Sequence, residues 1–328
     1  MRHARGWIVL CAAALACMSL RLVVSRSLEG QLELGWNAAA ASWRLGAVAS
    51  ASAAGAALAL AGLLLQGMLR NPLASPFVLG LSGGAQAAVA LATLVCFRAG
   101  IALSPGAGML AGTAGAAAAL LVCIAFGRGR DGAPEPVSLV LAGVVVAAML
   151  GGVGALCEWL LPPSERAVVA TWAFGRVPEA PDALAMRALL TVLALASLVA
   201  WSASGALDAM QLGDDEARSV GVPLAAMRWG VLGASSVLAA AATALCGPLA
   251  FVGLVAPHAA RAVLGGAHRR SVPGSLLAGA ALLMLADSMR VMVPVEGGRL
   301  PVGVVCALAG GPAFLFMLRR GAAQAWRA

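Results

Sequence analysis

The sequence predicts an all-α polytopic membrane protein of about ten transmembrane helices, and three observations carry that expectation. Hydrophobic residues make up 61% of the 328, charged residues only 11%, and the mean hydropathy is +0.92. No water-soluble domain of this size tolerates such a surface. Apolar runs of about 20 residues, the length needed to cross the hydrocarbon core, recur ten times. The polar residues gather in the short breaks between them. A single transmembrane domain over 1–328 is expected.

The first run, 7–24, follows Met1-Arg2-His3-Ala4-Arg5. A secretory signal is the alternative there, with Ala14-Leu15-Ala16-Cys17 as a faint lipoprotein cleavage site. Nothing resembling a secreted domain follows, and Ala14 stands where leucine is preferred. Runs 47–69 and 77–97 are broken by Arg70-Asn71-Pro72, with Pro76 and several glycines close behind. In lipid every backbone polar group must be paired within its segment, so this step marks a membrane surface or a protein-lined cavity. Small residues recur four apart in run 107–126 (Gly108, Gly112) and run 137–161 (Gly151, Ala155), and let helices pack closely.

Residues 162–182 hold Trp172, Phe174, Gly175 and Arg176 between prolines, which suits an interfacial helix with an aromatic anchor or the mouth of a ligand path. After run 183–203 comes the longest polar stretch, 204–228. Its Asp214, Asp215 and Glu216 precede Ala217 and Arg218, and Gly221 and Pro223 close it. That pattern predicts a short helix with acids in its first turn, able to dock into a partner. Runs 229–246 and 248–265 are parted only by Cys246-Gly247-Pro248, so one of them is expected to be short or re-entrant. Runs 273–293 and 300–318 complete the ten.

Several function classes are excluded or weakened. All 22 basic side chains are arginine, and without lysine the chain cannot build a G-x-x-x-x-G-K-[ST] phosphate loop. No cofactor is therefore expected on this chain. The net charge of +8 is scattered between apolar runs rather than gathered in one stripe, which argues against nucleic acid. The seven cysteines lie within apolar runs and form no C-x-x-C pair, so neither a disulfide framework nor a metal site is expected. Arginine bias in the short loops puts both termini in the cytoplasm, together with Arg70, Arg128, Arg218, Arg228, Arg261, Arg269 and Arg270.

Two motifs suggest other chemistry. Gly80-Leu81-Ser82-Gly83-Gly84 matches the G-x-S-x-G nucleophile elbow, with His258 at the same membrane face, which is the intramembrane serine protease reading. Glycine is so frequent here that a chance match is expected, and His258 with Arg261 suits a helix end whose last carbonyls they bond. Asp287 lies inside run 273–293, and an ionisable residue in a span suggests proton coupling. Its simpler account is an i, i+3 pair with Arg290 that satisfies itself inside the bundle. Pro72-Leu73-Ala74 with Phe77-Val78 is weakly echoed by Pro248-Leu249-Ala250-Phe251-Val252, as in transporters with related halves.

Taken in order, Gly55 to Ala59, Gln66-Gly67, Arg70-Asn71-Pro72-Leu73-Ala74-Ser75-Pro76, Leu79-Gly80 and Gly83 form one set of motifs. Leu212-Gly213, Ala217 and Val220-Gly221 follow, then GPLAFVGLVAPHAAR at 247–261 with Pro257, His258 and Arg261, Leu285-Ala286-Asp287, and LPVGVVCALAGGPAFLFMLRR at 300–320. From about residue 44 to 320 the chain resembles the FecCD-family, BtuC-like permeases, the membrane subunits of type II ABC importers for ferric siderophores, haem and vitamin B12. The resemblance implies a type II importer permease fold with no catalytic or metal site of its own. It implies a second permease copy, identical or related, with the transport pathway along their interface, on an axis lined by helix 137–161. Two cytoplasmic ATPases would use ATP and Mg, coupled through Leu212, Gly213, Asp214, Asp215, Glu216, Ala217, Arg218 and Gly221, and a periplasmic binding protein would deliver the chelate in the bacterial inner membrane. Ferric siderophore is the first expectation for the cargo, haem or cobalamin the alternative.

Departures from the family pattern bear on docking of the binding protein. Arg44-Leu45-Gly46-Ala47 keeps only the first arginine of the usual Arg-Leu-Pro-Arg. Arg299, with Glu296 nearby, stands where a glutamate usually precedes Leu-Pro-Val-Gly, and Arg176 follows Trp172 to Gly175 in place of serine. Arg44 is carried over as a docking residue, with Arg176 and Arg299 as its expected replacements for the missing charge.

Overall fold

The computed structural model describes residues 2–26, 31–129, 134–294 and 300–319. It is an all-α bundle of thirteen α-helices among the described residues, accompanied by one small antiparallel hairpin. Eight helices are long and apolar enough to cross a membrane and two shorter apolar ones accompany them. The crossing helices are α1 (Arg2–Val23), α2 (Ala41–Leu69), α3 (Leu81–Arg98), α4 (Pro105–Phe126), α5 (Pro136–Trp159), α7 (Ala183–Ser202), α10 (Leu224–Cys246) and α12 (His268–Met292). The shorter ones are α11 (Val252–Leu264) and α13 (Val302–Arg319), and three small helices, α6 (Pro163–Ala173), α8 (Ser204–Leu212) and α9 (Asp214–Ser219), lie between spans.

Helix α2 is the mast of the bundle. From Ala53 to Leu65 it is apolar all round, as a helix enclosed by others must be, and from Ala53 to Leu69 every residue is buried. Helices α12, α10, α11 and α7 pack around it. Two crossings need bare backbone. A Cβ on Gly55 would stand 2.2 Å from the Gly279 carbonyl oxygen, and one on Gly279 2.2 Å from that of Gly55, so α2 and α12 touch main chain to main chain. A Cβ on Gly62 would stand 1.7 Å from the Gly253 oxygen, which does the same for α2 and α11.

Where helices start differs from the hydrophobic runs for local reasons. Helix α2 begins before residue 47 because Asn37 caps a preceding 3-10 turn, its Oδ1 accepting from Ala39 N at 3.0 Å. Helix α3 begins after residue 77: Pro76–Leu79 form a 3-10 turn that ends on Gly80 at φ +80°. Helix α12 starts at His268 rather than 273, with Pro273 inside it, because the Asp208 carboxylate accepts from the His268 N–H and secures an extra turn. Helix α11 starts at Val252 rather than 248. Its 13 residues span about 20 Å at 1.5 Å per residue, and the non-helical segment 247–251 covers the remaining depth. Of the two doubtful runs, this is the short one. The strands Val24–Arg26 and Leu32–Leu34 pair beyond the end of α1.

Candidate functional site

At the end of the bundle where α2 stops, the polar break becomes a built joint. Arg70 caps α2 in the left-handed region at φ 46°. Asn71 folds the next turn, its Oδ1 accepting from Leu73 N at 2.9 Å and its carbonyl from Ala74 N at 3.0 Å, while Pro72 follows where no helix can continue. The Arg70 guanidinium leaves this turn sideways: Nε donates to the Met210 carbonyl at the end of α8 at 3.0 Å, and a terminal nitrogen pairs with the Asp214 carboxylate. Arg228 at the start of α10 donates to the other Asp214 oxygen at 2.6 Å. One carboxylate at the first residue of α9 thus ties α2, α9 and α10 together.

The short acidic helix is α9. Its Ala217 is wholly buried, whereas Leu212 and Val220 at its two sides are 77% and 68% exposed. Asp215, Glu216 and Arg218 face outward, with an Arg218–Asp215 pair at 3.2 Å, and Gly221 ends the helix at φ +81°. Gly213 admits the Glu216 carboxylate, whose Oε2 would lie 1.8 Å from a Cβ there.

The other family-motif residues sit inside the bundle. His258 and Pro257 are buried in α11 rather than at its end, and the His258 ring donates to the Leu254 carbonyl at 2.9 Å with Phe314 of α13 edge-on, centroids 5.3 Å apart. Arg261 turns toward α2. It donates to the Gln66 side chain on α2, and Gln66 in turn donates to the Gly253 carbonyl at 3.3 Å. Both residues are interior links between α2, α11 and α13. Ser82 lies in the first turn of α3, preceded by a 3-10 turn rather than a strand, so the nucleophile-elbow setting is missing.

At the opposite end, Asp287 is 0% exposed and paired with two guanidiniums, Arg290 one turn on and Arg21 of α1. Arg21 also reaches Glu179 at 3.4 Å, and Arg290 reaches the Val177 carbonyl at 3.4 Å. The expected i, i+3 pair is thus part of a larger buried cluster. Arg21 was hidden inside an apolar run, where a lone arginine is itself a signal of a partner.

Arg44 corrects an expectation. It is 3% exposed, and its terminal nitrogens donate to the carbonyls of Leu22 at 2.6 Å and Gly35 at 2.5 Å and to Ser25 Oγ at 2.5 Å. Burial and these bonds make it a clasp for the strand hairpin, not a surface charge awaiting a partner. Arg176 is exposed, beside a cavity of about 410 Å³ that Thr93, Trp172 and Cys246 help to line. Arg299 lies outside the described residues. Helix α5, named for the transport path, turns Val137, Leu141, Val144, Val145, Met149 and Leu156 outward, and with Val122 and Phe126 of α4 it borders an apolar cavity of about 460 Å³.

No metal-binding cluster of His, Cys, Asp or Glu occurs among the described residues. Asp208 and His268, which motif reading passed over, join α8 to the root of α12 through a 2.7 Å contact between Oδ1 and Nδ1.

Residues 7–320 match the FecCD transport family. The chain is 39% identical over 269 residues to the ferric enterobactin transport system permease protein FepD of Escherichia coli (strain K12), covering 81% of this chain and 78% of that protein. It is 33% identical to the hemin transport system permease protein HmuU of Yersinia pestis, over 84% of this chain and 82% of that one. It is also 33% identical to the cobalamin import system permease protein BtuC of Halobacterium salinarum, over 84% and 72%. A solved structure described as an inward-facing, metal-chelate type ABC transporter shares the fold, with a TM-score of 0.81 at 24% identity over 97% of this chain and 99% of that one. FecCD permeases are transport subunits of ABC importers and not enzymes, so the serine protease reading falls. The chain is a multi-pass membrane protein that belongs to the FecCD transport family.

Proposed function

We propose that this chain is the membrane-spanning permease of an ATP-driven importer that carries a ferric siderophore from a periplasmic binding protein to the cytoplasm. The observation that carries the reading is the α8–α9 hairpin. An acidic helix anchored inward by Ala217 and Asp214, with Leu212 and Val220 bare on either side, is a surface made to enter a partner's groove. A separate pair of cytoplasmic ATPases, using ATP and Mg, is the partner proposed, because this chain lacks the lysine of a phosphate loop.

A second permease copy is proposed across the outward apolar face of α5. Gly151 and Gly152 leave open space there, so two such helices could approach closely. The termini are assigned to the cytoplasm of a bacterial inner membrane. Arg128 over Trp229 at 5.5 Å and Arg269 over Trp201 at 5.0 Å suit an anionic lipid interface at that end. At the other end Arg176 is the accessible candidate for meeting the binding protein, while Arg299 keeps that role from its place in the sequence alone.

The cargo assignment leans on the ferric enterobactin relative; hemin and cobalamin are the alternatives that other relatives supply. Transport here requires no covalent step. A bound nucleotide or ligand shifts the balance between inward and outward states only through its differential affinity for the two. ATP hydrolysis by the reconstituted complex, measured with binding proteins loaded with ferric enterobactin, hemin or cobalamin, tests the assignment: stimulation by the first alone is expected, and stimulation by another alone reassigns the cargo. Accumulation by the purified chain on a pH gradient, without ATP or an ATPase, would sink the ABC reading in favour of proton coupling through Asp287.

A further inference from the structure

The α8–α9 hairpin is fastened to the bundle by two carboxylates, not one. Asp214 is the first. The second is Asp208 on α8, whose Oδ1 accepts from the His268 backbone N–H at 2.9 Å and meets the ring Nδ1 at 2.7 Å. Burial raises the Asp208 carboxyl, but the side-chain and backbone hydrogen bonds from His268 and the charges of His268 and Arg270 outweigh it and hold the group below the ordinary carboxylate value.

The imidazole is 0% exposed, and its Nε2 is buried with no hydrogen-bond partner. It lies against Gly67 of α2, where a Cβ would stand 3.1 Å away. One ring is therefore wedged between the hairpin and the mast at the first residue of α12. From there α12 runs without a break to the Asp287 cluster, about 28 Å along the axis at 1.5 Å per residue. A stiff helix with a polar joint at each end moves as a body when one joint is displaced.

Resting on the reading of α8–α9 as the ATPase-docking element, we propose that Asp208 and His268 are a positioning pair that converts displacement of α8 into displacement of α12. A simpler account is an N-cap that stabilises the start of α12 and does nothing more. Movement separates the two where stability does not.

The experiment uses the complex with its co-purified ATPase, in a background with the native cysteines replaced and nitroxide labels on Met289→Cys of α12 and Val95→Cys of α3, so that no cargo is needed. The unmodified pair should show a change in label separation on ATP binding, and Asp208→Ala should lose that change while still co-purifying the ATPase and binding ATP. Asp208→Asn, which keeps an acceptor for the His268 N–H, should recover part of it. Gly67→Ala, whose Cβ would press on the ring at 3.1 Å and meet Gln211 of α8 only in ordinary contact at 3.6 Å, should reproduce the loss. An undiminished change in Asp208→Ala overturns the proposal, as does the lack of any change in the parent. Should Asp208→Ala fail to assemble, undiminished changes in Gly67→Ala and Asp208→Asn overturn it instead. The underlying reading fails differently: Leu212→Asp with Val220→Asp would still co-purify the ATPase.

Discussion

Asp287 shows what a buried charge in a span is for. It sits between Arg21 and Arg290, and removing it leaves the Arg290 guanidinium without its carboxylate in the interior and Arg21 to Glu179, which costs about 3–5 kcal/mol. Asp287→Ala is therefore expected to lower the Tm of detergent-purified protein sharply, with Arg21→Ala close behind. A proton-carrying role predicts instead a folded protein that has lost its pH-driven transport. Asp208 carries a milder expectation. Its folded pKa lies below the unfolded one, so its contribution to stability is complete above the unfolded value and is lost as pH falls through the folded value. A pH series of Tm values on Asp208→Asn should converge with that of the parent at the acid end.

Among elements, the crossing of α2 with α11 is the least forgiving. Gly62→Ala puts a Cβ 1.7 Å from the Gly253 oxygen, and overpacking of this kind costs about 1–3 kcal/mol. A lowered Tm is expected, unlike Gly151→Ala, whose Cβ meets nothing within 4 Å in the single chain. If α5 faces a second copy, Leu141→Asp with Val145→Asp should convert a dimer to monomers by light scattering in detergent while leaving the Tm of the monomer unchanged. These elements were readable to different degrees. Long apolar runs announced the spans, and Asp214 to Gly221 announced the short helix, because composition alone decides both. Chain starts at Val252 and His268 were not announced. They depend on Gly253 meeting Gly62 and on Asp208 capping from another helix, and no local pattern encodes a contact made across the bundle. Arg44 misled for the same reason: a motif position shows that a charge is present, not that Leu22, Ser25 and Gly35 surround it.

For the whole molecule, orientation is open to a direct check. A membrane-impermeant maleimide should label Ser219→Cys in inverted vesicles and Ala39→Cys in spheroplasts, each in a background with the native cysteines replaced; the reverse pattern would turn the assignment over. The short α11 bears on biogenesis. Segment 247–251 has no helical ladder of its own, and its neighbour Cys246 uses its carbonyl to hold Arg176 N at 2.6 Å. Such backbone survives at membrane depth only when other parts of the protein enclose it. Run 248–265 thus cannot wait in lipid as an independent span. It has to enter the bilayer as a hairpin with α10 or α12 and reach its seat beside Gly62 after α2 is in place, which makes the order of synthesis, mast first and short helix late, a condition of assembly.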